Sequence, residues 1–180
     1  MVTSVLEEGT ATFRGVHYQV SDATCSPGPI QVPRPSLMIA GQGEQILLRI
    51  VAEHADLWNT QGSPDRLKHL IEVMQRHGDR IGRDLDDIEK TIAIPLCYSR
   101  SKDMEETDMK MAAVLGRTTP AEVRRQMMIG SKQECLDQIG RYVEVGVTHF
   151  ILVSVRPFDV EEITRFAQEV IPPHNSADPK

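Results

Sequence analysis

Two glycine-containing turns carry the residues of this chain that are best suited to chemistry. Gly41-Gln42-Gly43 follows an apolar run at 36–40, and Thr60-Gln61-Gly62 follows a shorter run. Glycine lets the backbone approach a ligand closely, and the start of the following helix offers amide groups with partial positive charge. The pattern therefore predicts a phosphate site built from backbone amides. Spacing alone leaves open a second interpretation, in which both are ordinary strand-to-helix turns without a ligand.

Side chains next to the second turn fit the same hypothesis. The hydroxyls of Thr60 and Ser63 would add donors, although Ser63 is also expected to cap a helix that begins at Pro64. We expect Trp58, the single tryptophan, to lie in the core. The histidines have no Ser, Cys or Asp partner at a recognisable spacing, and no metal-ligand motif is found. The sequence therefore predicts no metal site and assigns no catalytic residue.

The turns are placed by an alternation of strands and helices. Buried apolar strands are predicted at 36–41, 55–60, 91–99 and 148–154. Amphipathic helices are predicted at 44–55, 63–82, 102–116, 119–127, 131–145 and 159–170, the fifth with a Ser131–Glu134 capping box. This order is typical of an α/β fold with a parallel sheet and right-handed crossovers. Four strands are half of what a (β/α)₈ barrel requires.

The domain organisation follows from the same pattern. We expect one partial barrel domain over 1–180, with loose ends at 1–12 and 172–180. A short strand is predicted at 15–20, and 21–35 is predicted to be an irregular, proline-rich insertion loop. Pro95 inside the third strand suggests a bulge or a strand end.

Charge and composition exclude several classes of function. The 180-residue chain has a formal net charge of -6 and a pI near 5.5, which argues against a nucleic-acid groove or a basic membrane patch. Its three cysteines are far apart in the sequence, which favours a reduced, cytoplasmic setting. No apolar run reaches the ~18 residues of a membrane span. The remaining expectation is a protein that acts on a small molecule.

Several segments, in order, resemble one known family. They are FRGVHYQV, PIQVPRPSLMIAGQGE, ILLRIVAEHADLWNTQGSPDRLKHLIEVMQRHGDRIGRDLDDIEKT and GSKQECLDQIGRYVEVGVTHFILVS. Together they are similar to the luciferase-like monooxygenases, and most of all to the branch of coenzyme F420-dependent oxidoreductases. The resemblance implies a TIM-type barrel that binds F420 at the carboxyl ends of its strands and transfers a hydride between F420 and an organic substrate. An FMN-dependent monooxygenase is the alternative.

The resemblance also implies which residues hold the cofactor phosphate. They are those of the two turns: Ala40, Gly41, Gln42, Gly43, Thr60, Gln61 and Gly62. Two positions depart from the family pattern. Ala40 stands where the family often has a first glycine, and Gln45 stands where a Lys or Arg often follows the glycines.

The chain resembles only the carboxyl-terminal half of such a barrel, and Met1 aligns near mid-barrel. Half a barrel has two open strand edges and an uncovered inner face, both of which favour association. We therefore expect a homo-oligomer or a separate partner that supplies the missing half. Two further interpretations stay open: a non-catalytic half-barrel that acts through assembly, and a truncated gene product.

Overall fold

The computed structural model describes residues 2–98, 101–115, 117–154 and 159–171. The chain divides into two compact units, 1–37 and 38–180, of which the second holds most of the secondary structure. The predicted loose end at 172–180 lies outside the described residues. The elements in chain order are α1 (Val2–Glu8), β1 (Thr10–Arg14), β2 (Gln19–Thr24), β3 (Met38–Ala40), α2 (Leu47–His54), β4 (Leu57–Thr60), α3 (Pro64–Ile81), β5 (Glu89–Cys97), α4 (Lys102–Leu115), α5 (Pro120–Gln126), β6 (Met128–Ile129), α6 (Lys132–Glu144), β7 (Val147–Ser154) and α7 (Val160–Glu169).

The first unit is a short helix followed by a β-hairpin. β1 pairs antiparallel with β2, and the Thr12 hydroxyl donates to Asp22 Oδ1 at 3.1 Å across the hairpin. Ala11 is the one buried residue in the described part of this unit. The structure therefore differs from the loose end expected at 1–12, from the strand expected at 15–20 and from the start of the loop expected at 21–35. Backbone pairing, rather than burial of alternating apolar residues, orders this segment, so its sequence carries a weak strand signal.

The second unit is the predicted parallel sheet with helices packed against it. β3, β4 and β5 pair in that order, β7 pairs with β5, and every pair is parallel. The chain thus forms an α/β half-barrel, as the sequence predicts. The side chains of Trp58 and Leu70 belong to one buried cluster, and those of Ile92 and Phe166 belong to another. Both clusters lie between the sheet and the helix layer.

Helix boundaries follow the capping residues. Ser63 accepts a hydrogen bond from the Arg66 amide, Pro64 is the first residue of α3, and Gly82 ends that helix with φ 68°. Ser131 and Glu134 form the predicted capping box at the start of α6. The first predicted helix, which corresponds to α2, starts later than expected, at Leu47 rather than 44, because 44–46 form a turn.

β3 is more exposed than its sequence suggests. The apolar run predicts a strand buried on both faces, yet Met38 is 41% exposed and Ala40 is also exposed. Among the described residues β3 pairs only with β4, so no strand pairs along its other edge. The run has the composition of a central barrel strand but occupies an edge in this chain.

The structure differs from the sequence-based prediction at Pro95 and at the short strand β6. β5 runs through Pro95 without interruption, and its one register irregularity lies at Lys90–Thr91. The pairing of β5 with β4 ends at Ile92, and its pairing with β6 begins at Leu96, so Pro95 falls between the two. The sequence predicts no strand at β6, because two residues are too short for a periodic signal. Within the described residues, no helix is long and apolar enough to cross a membrane.

Candidate functional site

The two glycine turns lie side by side at the carboxyl ends of β3 and β4. Ala40 pairs with Asn59 in the parallel ladder, and the Gly41 amide extends that ladder by donating to the Asn59 carbonyl at 2.9 Å. Beyond the strands, Gln42 Nε2 donates to the Gln61 carbonyl oxygen at 2.5 Å. The structure therefore brings the two predicted turns together at the carboxyl ends of the parallel strands.

Side chains from three directions hold the carbonyl oxygens of these turns. Trp58 Nε1 donates to the Gly41 carbonyl at 2.9 Å, and the Tyr142 hydroxyl donates to the Gly62 carbonyl at 2.9 Å. Gln42 holds the Gln61 carbonyl in the same way. The carbonyl oxygens of Gly41, Gln61 and Gly62 therefore already have donors within the protein.

The backbone amides of the turns, unlike the carbonyls, are mostly without a partner in the described part of the protein. Within the part of the chain that the structure describes, the backbone amides of Gln42, Gly43, Gln61 and Gly62 donate to no protein acceptor. The Gly41 amide is already used by the sheet, which narrows the predicted phosphate donors to the four that remain. Occupied carbonyls beside unoccupied amides give the turns the polarity of a backbone anion site.

Both turns require glycine where the chain reverses. Gly41 has φ 132° and Gly62 has φ 113°, a region that side-chain-bearing residues rarely adopt. A Cβ on Gly41 would lie 2.6 Å from Leu47 Cδ2, whereas a Cβ on Gly62 would make only ordinary contacts, at 3.4 Å from Arg66 Cγ. The glycines are therefore explained by backbone shape, and at Gly41 also by space.

The other residues that the sequence places at the site lie close to the turns, but they differ in burial and in hydrogen bonding. Thr60 is 3% exposed, and its hydroxyl donates to the Gln61 carbonyl at 3.4 Å, so it supports the turn from inside. Ser63 accepts from the Arg66 amide as the helix cap, which leaves its hydroxyl proton available as a donor. Ala40 is exposed at the end of β3. Trp58 is fully buried, as the sequence predicts.

An ion-pair cluster that the sequence did not indicate lies next to the first turn. Glu44 Oε1 accepts from Arg66 Nη1 at 2.9 Å and lies 3.1 Å from His69 Nε2. The hydrogen bond from Arg66, with that from His69, lowers the pKa of the Glu44 carboxyl, so Glu44 is ionised at neutral pH. Its pairing offsets the repulsion that a free carboxylate beside Gly43 would exert on an anion. Because Arg66 is paired with Glu44, the two side chains together add no net charge beside the turns.

These partners could not be found by short-range spacing. Arg66 and His69 lie 22 and 25 residues from Glu44 in the sequence, and Tyr142 lies 80 residues from Gly62. Only the crossover helices, which return each strand to the same edge, bring them together.

A cavity lies next to this site and shares two residues with it. It measures about 710 Å³ and lies between α3, α5 and α6, with Ser63 and Tyr142 in its wall. Its charged lining is mixed, with three arginines and four carboxylates: Arg124, Arg125, Arg141, Asp65, Glu122, Glu134 and Asp137. A cavity with balanced charge is less suited to a phosphate than the amide-rich turns. No cluster of three or more potential metal ligands occurs among the residues described.

A parallel half-barrel with an amide-lined turn pair at its carboxyl edge places the protein among the (β/α) barrel proteins. The chain belongs to the luciferase-like monooxygenase family, whose model matches residues 1–117. Among curated proteins it is 24% identical, over 189 residues, to an F420-dependent glucose-6-phosphate dehydrogenase from Intrasporangium calvum. That match covers 92% of this chain and 56% of the relative.

Solved structures show the same fold. An F420-dependent tetrahydromethanopterin reductase from Methanopyrus kandleri superposes with a TM-score of 0.76 at 17% identity, over 96% of this chain and 60% of that one. An F420-dependent secondary alcohol dehydrogenase, solved with an F420–acetone adduct, gives a TM-score of 0.78 at 19% identity, over 93% and 57%. The chain therefore spans a little more than half the length of the relatives it matches.

Proposed function

We propose that this chain provides the phosphate-binding part of an F420-dependent oxidoreductase. The observation that carries the proposal is the pairing of the two turns, with their carbonyls held by protein donors and four amides left over. The F420-dependent enzymes among its relatives support F420 as the cofactor, with FMN as the alternative. The family membership supports an oxidoreductase.

The residues have distinct roles in this proposal. The amides of Gln42 and Gly43 donate to the cofactor phosphate from one turn, and those of Gln61 and Gly62 donate from the other. Gly41 gives the first turn its conformation. Ala40 and Thr60 are the last residues of the two strands that precede the turns. The Thr60 hydroxyl also donates to the Gln61 carbonyl within its turn.

The proposal also assigns chemistry to the cofactor rather than to an acid or base of this chain. When bound, F420 supplies the hydride transfer to or from an organic substrate. In this proposal the backbone amides near the turns hold and orient its phosphate, and the Arg66–Glu44 pair lies beside them on the side of α3. Catalytic side chains remain unassigned.

A titration with three ligands tests the proposal. Purified protein is titrated with F420, FMN and riboflavin, and binding is followed by ligand fluorescence and by the emission of Trp58. We expect F420 to bind and riboflavin, which lacks the phosphate, to bind at least tenfold more weakly than FMN. A folded sample that binds neither F420 nor FMN at high micromolar concentration would falsify the site. Tighter binding of FMN than of F420 would overturn the choice of cofactor.

A charge variant localises the binding. Gln42→Glu places a carboxylate in the first turn, and we expect it to weaken F420 binding by at least tenfold through repulsion of the phosphate. Gln75→Glu makes the same change of charge on α3, where the native side chain bonds to Asp79 rather than to a turn. Equal affinities for the two variants would place the phosphate elsewhere.

A further inference from the structure

The two glycine turns have no positively charged side chain of their own. Neither 41–46 nor 60–65 contains a lysine or an arginine, and Arg49 of α2 is bound to Glu53 on its own helix at 3.4 Å. The amides of the proposed site carry only partial positive charge, whereas a phosphate carries at least one full negative charge. Compensation of that charge therefore requires a cation from another part of the fold.

Arg66 of α3 is an arginine that lies across both turns. Its Cγ would be 3.4 Å from a Cβ on Gly62, so the stem of the side chain lies against the second turn. Its Nη1 donates to Glu44 Oε1 at 2.9 Å, and Glu44 directly follows Gly43 of the first turn. The Arg66 side chain therefore reaches from one set of proposed phosphate donors to the other.

The ion pair between Arg66 and Glu44 is able to open. The two side chains are 40% and 39% exposed, and an ion pair with that exposure contributes little to stability. Glu44 also has other partners on α3. Its Oε1 lies 3.1 Å from His69 Nε2, and His77 Nε2 donates to its carbonyl oxygen at 2.8 Å. Glu44 thus stays bound to α3 when Arg66 leaves it.

We propose that Arg66 exchanges Glu44 for the cofactor phosphate and is the cation of the phosphate site. The inference rests on the proposed function and adds the side chain that recognises the charge of the phosphate. Among the described residues Arg66 binds Glu44 through Nη1 alone, whereas a guanidinium can bind a phosphate through two parallel hydrogen bonds. The exchange also replaces a neutral ion pair beside the turns by a full positive charge on the ligand. In the absence of ligand, Glu44 keeps the arginine in position.

Three ligands and a matched arginine variant test the role of Arg66. F420, FMN and riboflavin are titrated into Arg66→Gln and into Arg76→Gln, which removes the same charge from an exposed position of α3. We expect Arg66→Gln to bind F420 and FMN about tenfold or more weakly than Arg76→Gln does, the loss typical of a hydrogen bond to a charged group. Riboflavin has no phosphate, so both variants should bind it equally. Thermal unfolding followed by circular dichroism checks that both variants are folded.

Two results of these titrations contradict the assignment. Equal affinities of Arg66→Gln and Arg76→Gln for F420 would exclude Arg66 from the site. An equal loss of riboflavin and FMN affinity in Arg66→Gln would show that the arginine supports the turns and does not bind the phosphate.

The exchange of partners is tested at Glu44. Glu44→Gln keeps the backbone bond from His77 and removes the charge that competes for Arg66, so we expect F420 to bind at least about twofold more tightly. In an Arg66→Gln background the same substitution has no ion pair to release, so the gain should be smaller. Weaker binding by Glu44→Gln, or an equal gain in the two backgrounds, would overturn the exchange.

The result for Arg66 can be separated from the result for the proposed function. If Gln42→Glu weakens F420 binding and Arg66→Gln does not, the amides hold the phosphate without this arginine, and only the role of Arg66 is wrong. If the folded wild type binds neither F420 nor FMN, both proposals are wrong.

Discussion

Replacing Gly41 by alanine is the most direct test of the first turn. Gly41 has φ 132°, and holding a non-glycine residue in such a sparsely populated region costs about 1–3 kcal/mol. The new Cβ would also lie 2.6 Å from Leu47 Cδ2, so the leucine must leave its position. A forced change of that side chain adds about 0.5–1.5 kcal/mol. We therefore expect Gly41→Ala to lower the free energy of unfolding by about 2–4 kcal/mol.

Urea unfolding followed by far-UV circular dichroism measures this loss. In a chain of this size each kcal/mol lowers the midpoint of thermal unfolding by about 2–4 °C, so a fall of roughly 4–16 °C is expected in parallel. Gly140→Ala is the matched control, because Gly140 lies within α6 and its Cβ would have no atom within 4 Å. That control should stabilise the protein by about 0.5–1 kcal/mol. A loss below about 0.5 kcal/mol for Gly41→Ala would refute the description of the turn.

Two further predictions concern Tyr142, whose hydroxyl donates to the Gly62 carbonyl. Tyr142→Phe removes this bond and leaves the carbonyl without its donor, and we expect a loss of about 1–3 kcal/mol in urea unfolding at pH 7. Burial raises the pKa of Tyr142 from 10.0 to about 12, so the folded protein holds this proton more tightly than the unfolded chain. That stabilisation is complete below pH 10 and is lost as the pH rises through 12, by about 1.4 kcal/mol per unit of pKa. The difference in stability between wild type and Tyr142→Phe should therefore narrow above pH 10, and a constant difference up to pH 12 would contradict this.

Much of the second unit could be predicted from local signals. Ser63, Pro64 and Gly82 each act within one helical turn, and the capping box at Ser131 does the same. The parallel sheet followed from the alternation of apolar runs with amphipathic helices. Its strands and helices are confirmed, with boundaries shifted by a few residues. The association of the two turns followed from the same reasoning, since parallel strands end at the same edge.

The predictions that were wrong have a common physical origin. In each case, strand pairing in the fold leaves no periodic pattern of apolar residues in the sequence. The hairpin of the first unit exposes nearly all of its side chains, so its strands show no alternation. β6 consists of two residues and depends on the end of β5. The exposure of β3 could not be predicted from its own composition, because burial depends on which neighbours the sheet has.

The side-chain partners of the site could not be predicted from the sequence, because they come from different βα units. Trp58 was expected in the core, but nothing in its neighbourhood indicated that its indole would donate to the Gly41 carbonyl. From the sequence, Glu44 is expected to be an ordinary surface charge. In the structure, Arg66 and His69 of α3 lie beside it. Such contacts cross from one βα unit to the next, and a single sequence records each partner without recording the pair.

The phosphate site and the barrel as a whole place different demands on the chain. Among the described residues, the amides of the proposed site and the donors Gln42 and Trp58 lie within 38–66, and the Tyr142 hydroxyl reaches the Gly62 carbonyl from further along the chain. Substrate positioning in a barrel draws on the ends of several strands around the mouth. The affinity for F420 should therefore be set by the turns of this chain and be weakened by Gln42→Glu, whereas substrate positioning also draws on the other strand ends around the mouth. If Gln42→Glu binds F420 as tightly as Gln75→Glu does, the turns alone do not define the site.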